Sequence, residues 1–368
     1  MNVMRAERIQ QPWLAWDLSR LRRDVGLYVH VPFCLARCRY CDFLTYGRDR
    51  PAGLEPDSYA DLLAREINIR GEWFAQAYGP AGRGVGSIFI GGGTPTFLEA
   101  ERLCRLVQQL RSSFRVDDAA EVTVEANPET ISPRYIAALH DAGVNRLSIG
   151  VQALQDRHLA FLTRTHRSAT VHRALEAAAA GPIGRISCDV IYGLPGMTAA
   201  DLRQTIRALF SYSPEHVSAY ELTIEPCTPL ADWARRFPRQ VASQDQVAEQ
   251  QRAVQRLLAS RGLYRYEVSN YARPGRECRH NLRYWLGGDY IGLGLGASSR
   301  IESAVVANPA EVGAYGKAVD HIGGGEDRLD AAFGELDAAG TSQAPPADGF
   351  LAARTRRGFS DDGQPVRP

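Results

Sequence analysis

The sequence predicts an α/β protein: a partial TIM-like (β/α)6 barrel followed by a smaller α+β extension. Two observations carry that expectation. Between residues 26 and 225, six short apolar runs alternate with helix-patterned segments, the order that yields a parallel sheet with crossover helices. Each run also ends in glycine or polar residues, and ligands of such barrels sit at the carboxyl ends of the strands.

The elements read as follows. GLYVHV at 26–31 is the first strand, and a helical pattern covers 58–73. SIFI at 87–90 is the second strand, followed by a helix over 99–110. EVTVEA at 121–126 is the third, with a helix over 133–142 ended by Gly143. RLSIGV at 146–151 is the fourth, with a helix over 169–180 closed by Gly181. RISCDVIYG at 185–193 holds the fifth, with a helix over 199–210, and HVSAYEL at 216–222 is the sixth. The extension adds a helix over 244–260, a strand in YRYEVSNYA at 264–272, and the glycine-rich DYIGLGLGASS at 289–299, which returns toward the barrel. The nearest rival is a closed eight-stranded barrel, with two further strands supplied after residue 225.

Composition excludes little but is consistent. The net charge is +1 over 368 residues with no long basic run, so nucleic acid is not the expected partner. No apolar stretch reaches the roughly 18 residues of a membrane span, and MNVMRAERIQQPWLAW lacks a signal peptide's apolar core. Seven cysteines, an odd number, fit a reducing cytoplasm better than a disulfide scaffold. Cys104, Cys188 and Cys227 read as free thiols.

Cys34, Cys38 and Cys41 stand in C-x3-C-x2-C spacing directly after the first strand. Three thiolates on one loop can hold a [4Fe–4S] cluster and leave one iron open. The rival readings are three unrelated thiols, or a zinc site short of its fourth ligand. The other strand ends bring Gly91, Gly92, Gly93 and Thr94, then Glu125 and Asn127, Gln152, Asp189 and Thr223 to the same rim. Glycines let backbone approach a ligand closely. Glu125 and Asp189 suit an ammonium group or ribose hydroxyls, Gln152 both donates and accepts, and Arg164 offers a fixed fork for a carboxylate.

The cysteine spacing resembles the signature of the radical S-adenosylmethionine (SAM) superfamily, in which SAM occupies the open iron. YVHVPFC, GGGTPTFL, VEANPE, SIGVQ, DVIYGLPG and LTIEPCTP occur in that order. Together they resemble the radical SAM subgroup of oxygen-independent coproporphyrinogen III oxidase and the HemW-like haem chaperones, over roughly residues 26–300. The resemblance implies a [4Fe–4S] cluster on Cys34, Cys38 and Cys41. It implies SAM on Tyr28, Gly92, Gly93, Thr94, Glu125, Gln152, Arg164 and Asp189. Asp42 and Phe43 follow Cys41 where the oxidase has a further cysteine, and HNLRYW at 280–285 is similar to a chaperone motif associated with haem. His280, Asn281, Tyr284, Trp285 and the nearby Cys278 are therefore the haem candidates, with His280 and Cys278 competing as iron ligand.

The implied function is haem binding and delivery to acceptor proteins, membrane-bound respiratory enzymes among them. An electron donor is needed if SAM is cleaved. The expected location is cytoplasmic, peripheral to a membrane through partners; a homodimer stays open. The alternative is an oxidase that decarboxylates coproporphyrinogen III. A third reading is a chain that keeps its cluster but has lost transfer. Two departures from the family stand out: Ser298 replaces a histidine of the HemW-like pattern, and the chain after about residue 322 is poor in large aliphatics. The expected organisation is a lead segment at 1–25, the barrel at 26–225, the extension at 226–305, and a shortened, largely disordered tail at 306–368 with at most a short helix over 328–338.

Overall fold

The computed structural model describes residues 23–302 and 304–324. Each of the six apolar runs is a strand: β1 Val25–Val31, β2 Val85–Gly92, β3 Val116–Ala126, β4 Arg146–Gln152, β5 Arg185–Tyr192 and β6 His216–Glu221. They pair in parallel in sequence order. The crossovers are helical: α1 Pro56–Tyr78, α2 Ala100–Ser113, α3 Pro133–Asp141, α4 Asp156–Phe161, α5 Ser168–Ala180 and α6 Ala199–Leu209. α1 starts on a proline at its first position, where the missing N–H costs nothing. α6 starts on a capping box between Thr198 and Asp201.

Successive residues of a strand face opposite sides of the sheet. On one side lie Leu27, Val29, Ile88, Ile90, Val122, Val124, Leu147, Ile149, Val190 and Val217, all fully buried in the main core. Each such side chain contributes roughly 1.5–3 kcal/mol. The alternate positions carry Tyr28, His30, Phe89, Glu121, Glu125, Arg146, Ser148, Ser187, Asp189, His216, Ser218 and Tyr220. Registers such as Tyr28↔Phe89, Glu125↔Ser148 and Asp189↔Ser218 put them side by side on the concave face. The lumen is therefore polar and aromatic, and the wall behind it aliphatic.

After β6 come α7 Pro229–Arg236, α8 Gln244–Ala259, β7 Tyr264–Arg265, β8 Asn270–Ala272, α9 Arg279–Trp285, β9 Tyr290–Leu293, β10 Ser298–Ile301, β11 Ala304–Ala307 and α10 Val312–Gly324. The sheet runs β11-β10-β9-β1-β2-β3-β4-β5-β6-β8-β7. β9 lies parallel to β1, while β8 runs antiparallel to β6. The extension thus lengthens both edges of the six-stranded sheet instead of joining them, and the closed eight-stranded rival does not form. YRYEVSNYA is a hairpin, not one strand. Tyr264 pairs with Ala272, and the Glu267 carboxylate turns the chain by accepting from the Ser269 N–H.

Two buried carboxylates fasten the extension. Glu66 of α1 accepts from the Gly294 N–H at 2.7 Å, the Asn308 amide at 2.8 Å and the Tyr315 hydroxyl at 2.8 Å. Glu121 of β3 accepts from the backbone N–H groups of Arg279 at 2.8 Å and His280 at 3.3 Å, and from the Cys278 thiol at 3.5 Å. Arg185 balances its charge at 3.0 Å. Glu121 thereby caps α9 from inside the lumen. Gly26 lets α9 come close, because a Cβ there would lie 2.8 Å from Arg283 and 3.0 Å from His280.

Residues 306–324, expected within a disordered tail, correct that boundary. β11 ends at Ala307, and α10 buries Tyr315, Val319 and Ile322 against the core. Those three apolar residues at helical spacing offset the ordering cost that the polar composition suggested. The remainder of the expected tail, the helix over 328–338 and most of the lead segment lie outside the described residues.

Replacing Glu121 with alanine leaves Arg185 without its counter-charge, with only Glu277 O as acceptor, and the first amides of α9 unpaired. The expected loss is about 3–5 kcal/mol, read from the urea midpoint, with amide exchange rising first in α9. Glu121→Gln keeps one acceptor for the α9 amides and is expected to lose less.

Candidate functional site

A cavity of about 570 Å³ occupies the lumen, running from the cysteine loop at the carboxyl ends of the strands to α9. Its wall includes Cys34, Cys38 and Cys41, and also Tyr28, Gly92, Gly93, Thr94, Glu125, Gln152, Arg164 and Asp189. Asn281, Tyr284 and Trp285 line it as well. His280 and Cys278 are fully buried and are not part of the wall.

The cysteine loop is a noose closed at its neck. Phe33 pairs with Tyr46, the Cys34 N–H donates to Tyr46 O at 2.9 Å, and the Tyr46 N–H donates to Pro32 O at 2.7 Å. His30 holds the noose from below. Its Nε2–H donates to Leu44 O at 2.8 Å, so its Nδ1 accepts from the Tyr28 hydroxyl at 3.0 Å. Burial keeps this imidazole neutral and lowers its pKa to about 4. The glycines serve the noose directly. A Cβ on Gly92, at φ +107°, would strike the His30 ring, and one on Gly93 would lie 2.6 Å from Phe33 O. On the side where a Cβ would stand the protein itself fills the space, while the backbone of both glycines lines the cavity.

The sulfurs have partners suited to anionic thiolates. The Thr94 hydroxyl donates to Cys34 Sγ at 3.6 Å, and Arg164 Nη1 donates to Cys38 Sγ at 3.4 Å. Asn127 and Gly150 O hold the other arm of that guanidinium. Burial, reinforced by the neighbouring thiolates, pushes Cys34 up to about 12 and raises Cys41. Cys34 and Cys41 therefore hold their protons until iron binding displaces them. Among the described residues, no three His, Cys, Asp or Glu side chains converge on a single metal ion. A four-iron cluster needs no such convergence, because each cysteine binds its own iron.

The groups beside the loop have unspent capacity. Gln152 sits at a register shift between β4 and β5 with φ +64°, a left-handed conformation that a glutamine adopts at a cost. Its Oε1 is buried without a hydrogen-bond partner. Burial raises the pKa of Asp189, against hydrogen bonds from Ser218, Ser148 and Ser187 and the charge of Arg146. A polar ligand beside the cysteine loop would find an acceptor in Gln152 and a carboxyl in Asp189. The donor set and the orphaned amide fit a cluster and SAM.

The haem candidates divide. His280 has both ring nitrogens engaged, Nδ1 with Ser87 at 3.1 Å and Nε2 with Tyr284 at 3.0 Å, and it lies over Phe89. Burial and the Glu121 carboxylate push the Cys278 thiol up to about 12, so it stays protonated and donates to that carboxylate. Arg283 of the same motif is spent on Asp24 and Asp289 O. In this conformation His280 and Cys278 seat α9, and only Asn281, Tyr284 and Trp285 face the cavity; Trp285 is 39% exposed. Ser298 is buried in β10 and is not in the cavity wall.

Sequence reasoning missed His30, Arg146, Ser148, Ser218, Tyr220 and Asn270, all of which line the cavity. For the barrel strands a signal was available. Stepping back by two from each rim residue, as from Gln152 through Gly150 to Ser148 and Arg146, lists the lumen positions. Asn270 had none, since its place depends on β8 joining β6.

The pattern of the Radical SAM superfamily matches residues 28–209. The heme chaperone HemW of Mycobacterium tuberculosis is 40% identical over 299 residues, covering 81% of this chain and 74% of that protein. HemW of Bacillus subtilis is 36% identical over 78% of this chain and 74% of its own length. HemW of Escherichia coli is 35% identical over 75% and 70%. Among solved structures, the Escherichia coli coproporphyrinogen III oxidase HemN, a radical SAM enzyme, superposes with a TM-score of 0.69 at 27% identity, covering 83% of this chain and 72% of that one.

Because His30 is held near a pKa of about 4 against an ordinary 6.5, its contribution to stability is complete above pH 6.5. It is lost as pH falls toward 4, since the unfolded chain takes the proton first. The expected loss is up to about 3 kcal/mol. Chemical denaturation across that window, compared with His30→Gln, reads it: the variant is less stable at neutral pH and its curve is flatter.

Proposed function

As a member of the HemW family of the radical SAM superfamily, the chain is one for which we propose haem binding and transfer to acceptor proteins, with a [4Fe–4S] cluster and SAM as resident cofactors. The observation that carries the reading is the position of α9. The HNLRYW helix delivers Asn281, Tyr284 and Trp285 to the same cavity that holds the cysteine loop. Cys34, Cys38 and Cys41 would hold the cluster, and Thr94 and Arg164 would donate to its sulfurs. A cluster with one iron free of protein supplies a redox-active site at which SAM can be ligated. Gln152, Glu125, Asp189 and Tyr28 would orient SAM beside it. Arg164 is fixed for that contact through Asn127 and Gly150 O.

Haem is the cargo. Trp285 and Tyr284 offer aromatic surface for a porphyrin, and the partial exposure of Trp285 leaves one edge of such a ligand open to an acceptor. A ligand role for His280 or Cys278 requires α9 to leave its seat on Glu121 and Ser87. We place the protein in the cytoplasm, with respiratory enzymes at the membrane among its acceptors. No helix among the described residues is long and apolar enough to cross a membrane.

The second reading, a radical oxidase acting on coproporphyrinogen III, is favoured by the likeness to HemN. Asp42 and Phe43 weigh against it, because they line the cavity where the oxidase pattern has a further cysteine.

Anaerobic titration of the cluster-loaded protein with haem is expected to show saturable binding near one haem per chain. Trp285→Ala is expected to weaken it about three- to tenfold. Cys38→Ser is expected to lower iron and sulfide content without unfolding the barrel. Protoporphyrinogen formed from coproporphyrinogen III, with no saturable haem binding, would overturn the chaperone reading in favour of the oxidase.

A further inference from the structure

Arg146 opens β4 and is 2% exposed, yet it lines the inner part of the cavity. Among the described residues its guanidinium has no hydrogen-bond or ion-pair partner, only longer-range attraction from the Glu121 and Asp189 carboxylates. The other arginines of the lumen are committed. Arg185 pairs with Glu121, Arg164 with Cys38 and Asn127, and Arg283 with Asp24. The nearby carboxylates are committed too. Glu121 holds α9 and Arg185, and Asp189 accepts from Ser148 at 3.1 Å. Asn270, 2% exposed and in the same wall, has its Oδ1 unpartnered as well.

A buried guanidinium with unspent donors is costly unless something in the cavity satisfies it. Its planar fork matches a carboxylate in two-point contact. Resting on the haem reading above, we propose that Arg146 receives a propionate carboxylate of the bound porphyrin. Arg146 lies six residues before Gln152 on β4, on the order of 20 Å along the strand, so it is separate from the groups beside the cysteine loop. Between the two levels the wall is aromatic: Tyr28 stacks with Phe89, and Tyr220 lines the cavity beside Asp189 and Ser218. Flat apolar surface above a lone buried cation suits a macrocycle with acidic arms better than a small amino acid.

The test is titration of the cluster-loaded full chain with haem and with haem dimethyl ester, whose propionates carry no charge. Wild type is expected to prefer haem by roughly tenfold or more. Arg146→Gln is expected to bind haem only as well as the ester, with its affinity for SAM unchanged, and Arg146→Lys is expected to keep part of the preference. Equal affinity of wild type for acid and ester overturns the proposal, and that comparison stands even if the glutamine variant does not fold. A preference that survives in folded Arg146→Gln overturns it too. A loss of SAM affinity with haem affinity unmoved gives Arg146 to the SAM carboxylate and overturns it. Absence of haem binding by wild type is a different result, which removes the haem reading itself.

Discussion

Burying the Glu121 carboxylate inside the lumen would cost several kcal/mol if it stood alone. It is tolerated because Arg185 pairs with it and the start of α9 donates to it three times, through two amides and a thiol. The reverse dependence is as strong. α9 has seven residues, too few to be stable alone, and its first amides have no partner without Glu121. The seat of His280, the anchoring of β1 through Arg283, and the approach of Tyr284 and Trp285 to the cavity all follow from this contact. Residues separated by more than 150 positions in the chain thus form one unit.

The cavity exists because the barrel does not close on itself. Six parallel strands curve enough to make a concave face, and the strands added after β6 extend both edges. Aliphatic residues at one parity of each strand build the core against α1 through α6. Residues at the other parity are left facing a space that neither helix nor strand fills. That parity rule puts charged residues where an ordinary core would have none, and they satisfy one another locally: Ser187 with His216, His216 with Tyr266, Ser148 with Asp189. Gln152 Oε1 and the Arg146 fork, both unspent, lie at opposite levels of the space.

At the outer level, the site is rigid by construction. The neck of the cysteine loop is closed by backbone hydrogen bonds, supported by a neutral histidine, and packed on glycines that admit no side chain. Such a loop fixes its three sulfurs before any iron arrives, which lowers the ordering cost of cluster binding. The HNLRYW motif has a buried face and a cavity face. Two of its residues seat the helix, and its outward aromatics meet the cavity.

Much was legible in the sequence. The six strands and their crossover helices follow from local periodicity, which depends only on neighbours along the chain. The cysteine spacing named the loop chemistry, because three ligands on one short segment need no fold to bring them together. Glu125 and Gln152 could be placed because they stand at the ends of β3 and β4, whereas Asp189 lies three residues before the end of β5 and Arg164 follows α4. Tertiary structure alone decided the rest. Whether the barrel closes depends on which edge β8 and β9 join, and no local pattern encodes that choice. The hairpin at 264–272 depends on a carboxylate turning the chain, and α10 on a core made of α1. That His280 and Cys278 are buried follows from Glu121 and Ser87, which reach them from distant strands. Hydrogen-bond satisfaction is a property of the assembled lumen, and so is its failure at Arg146.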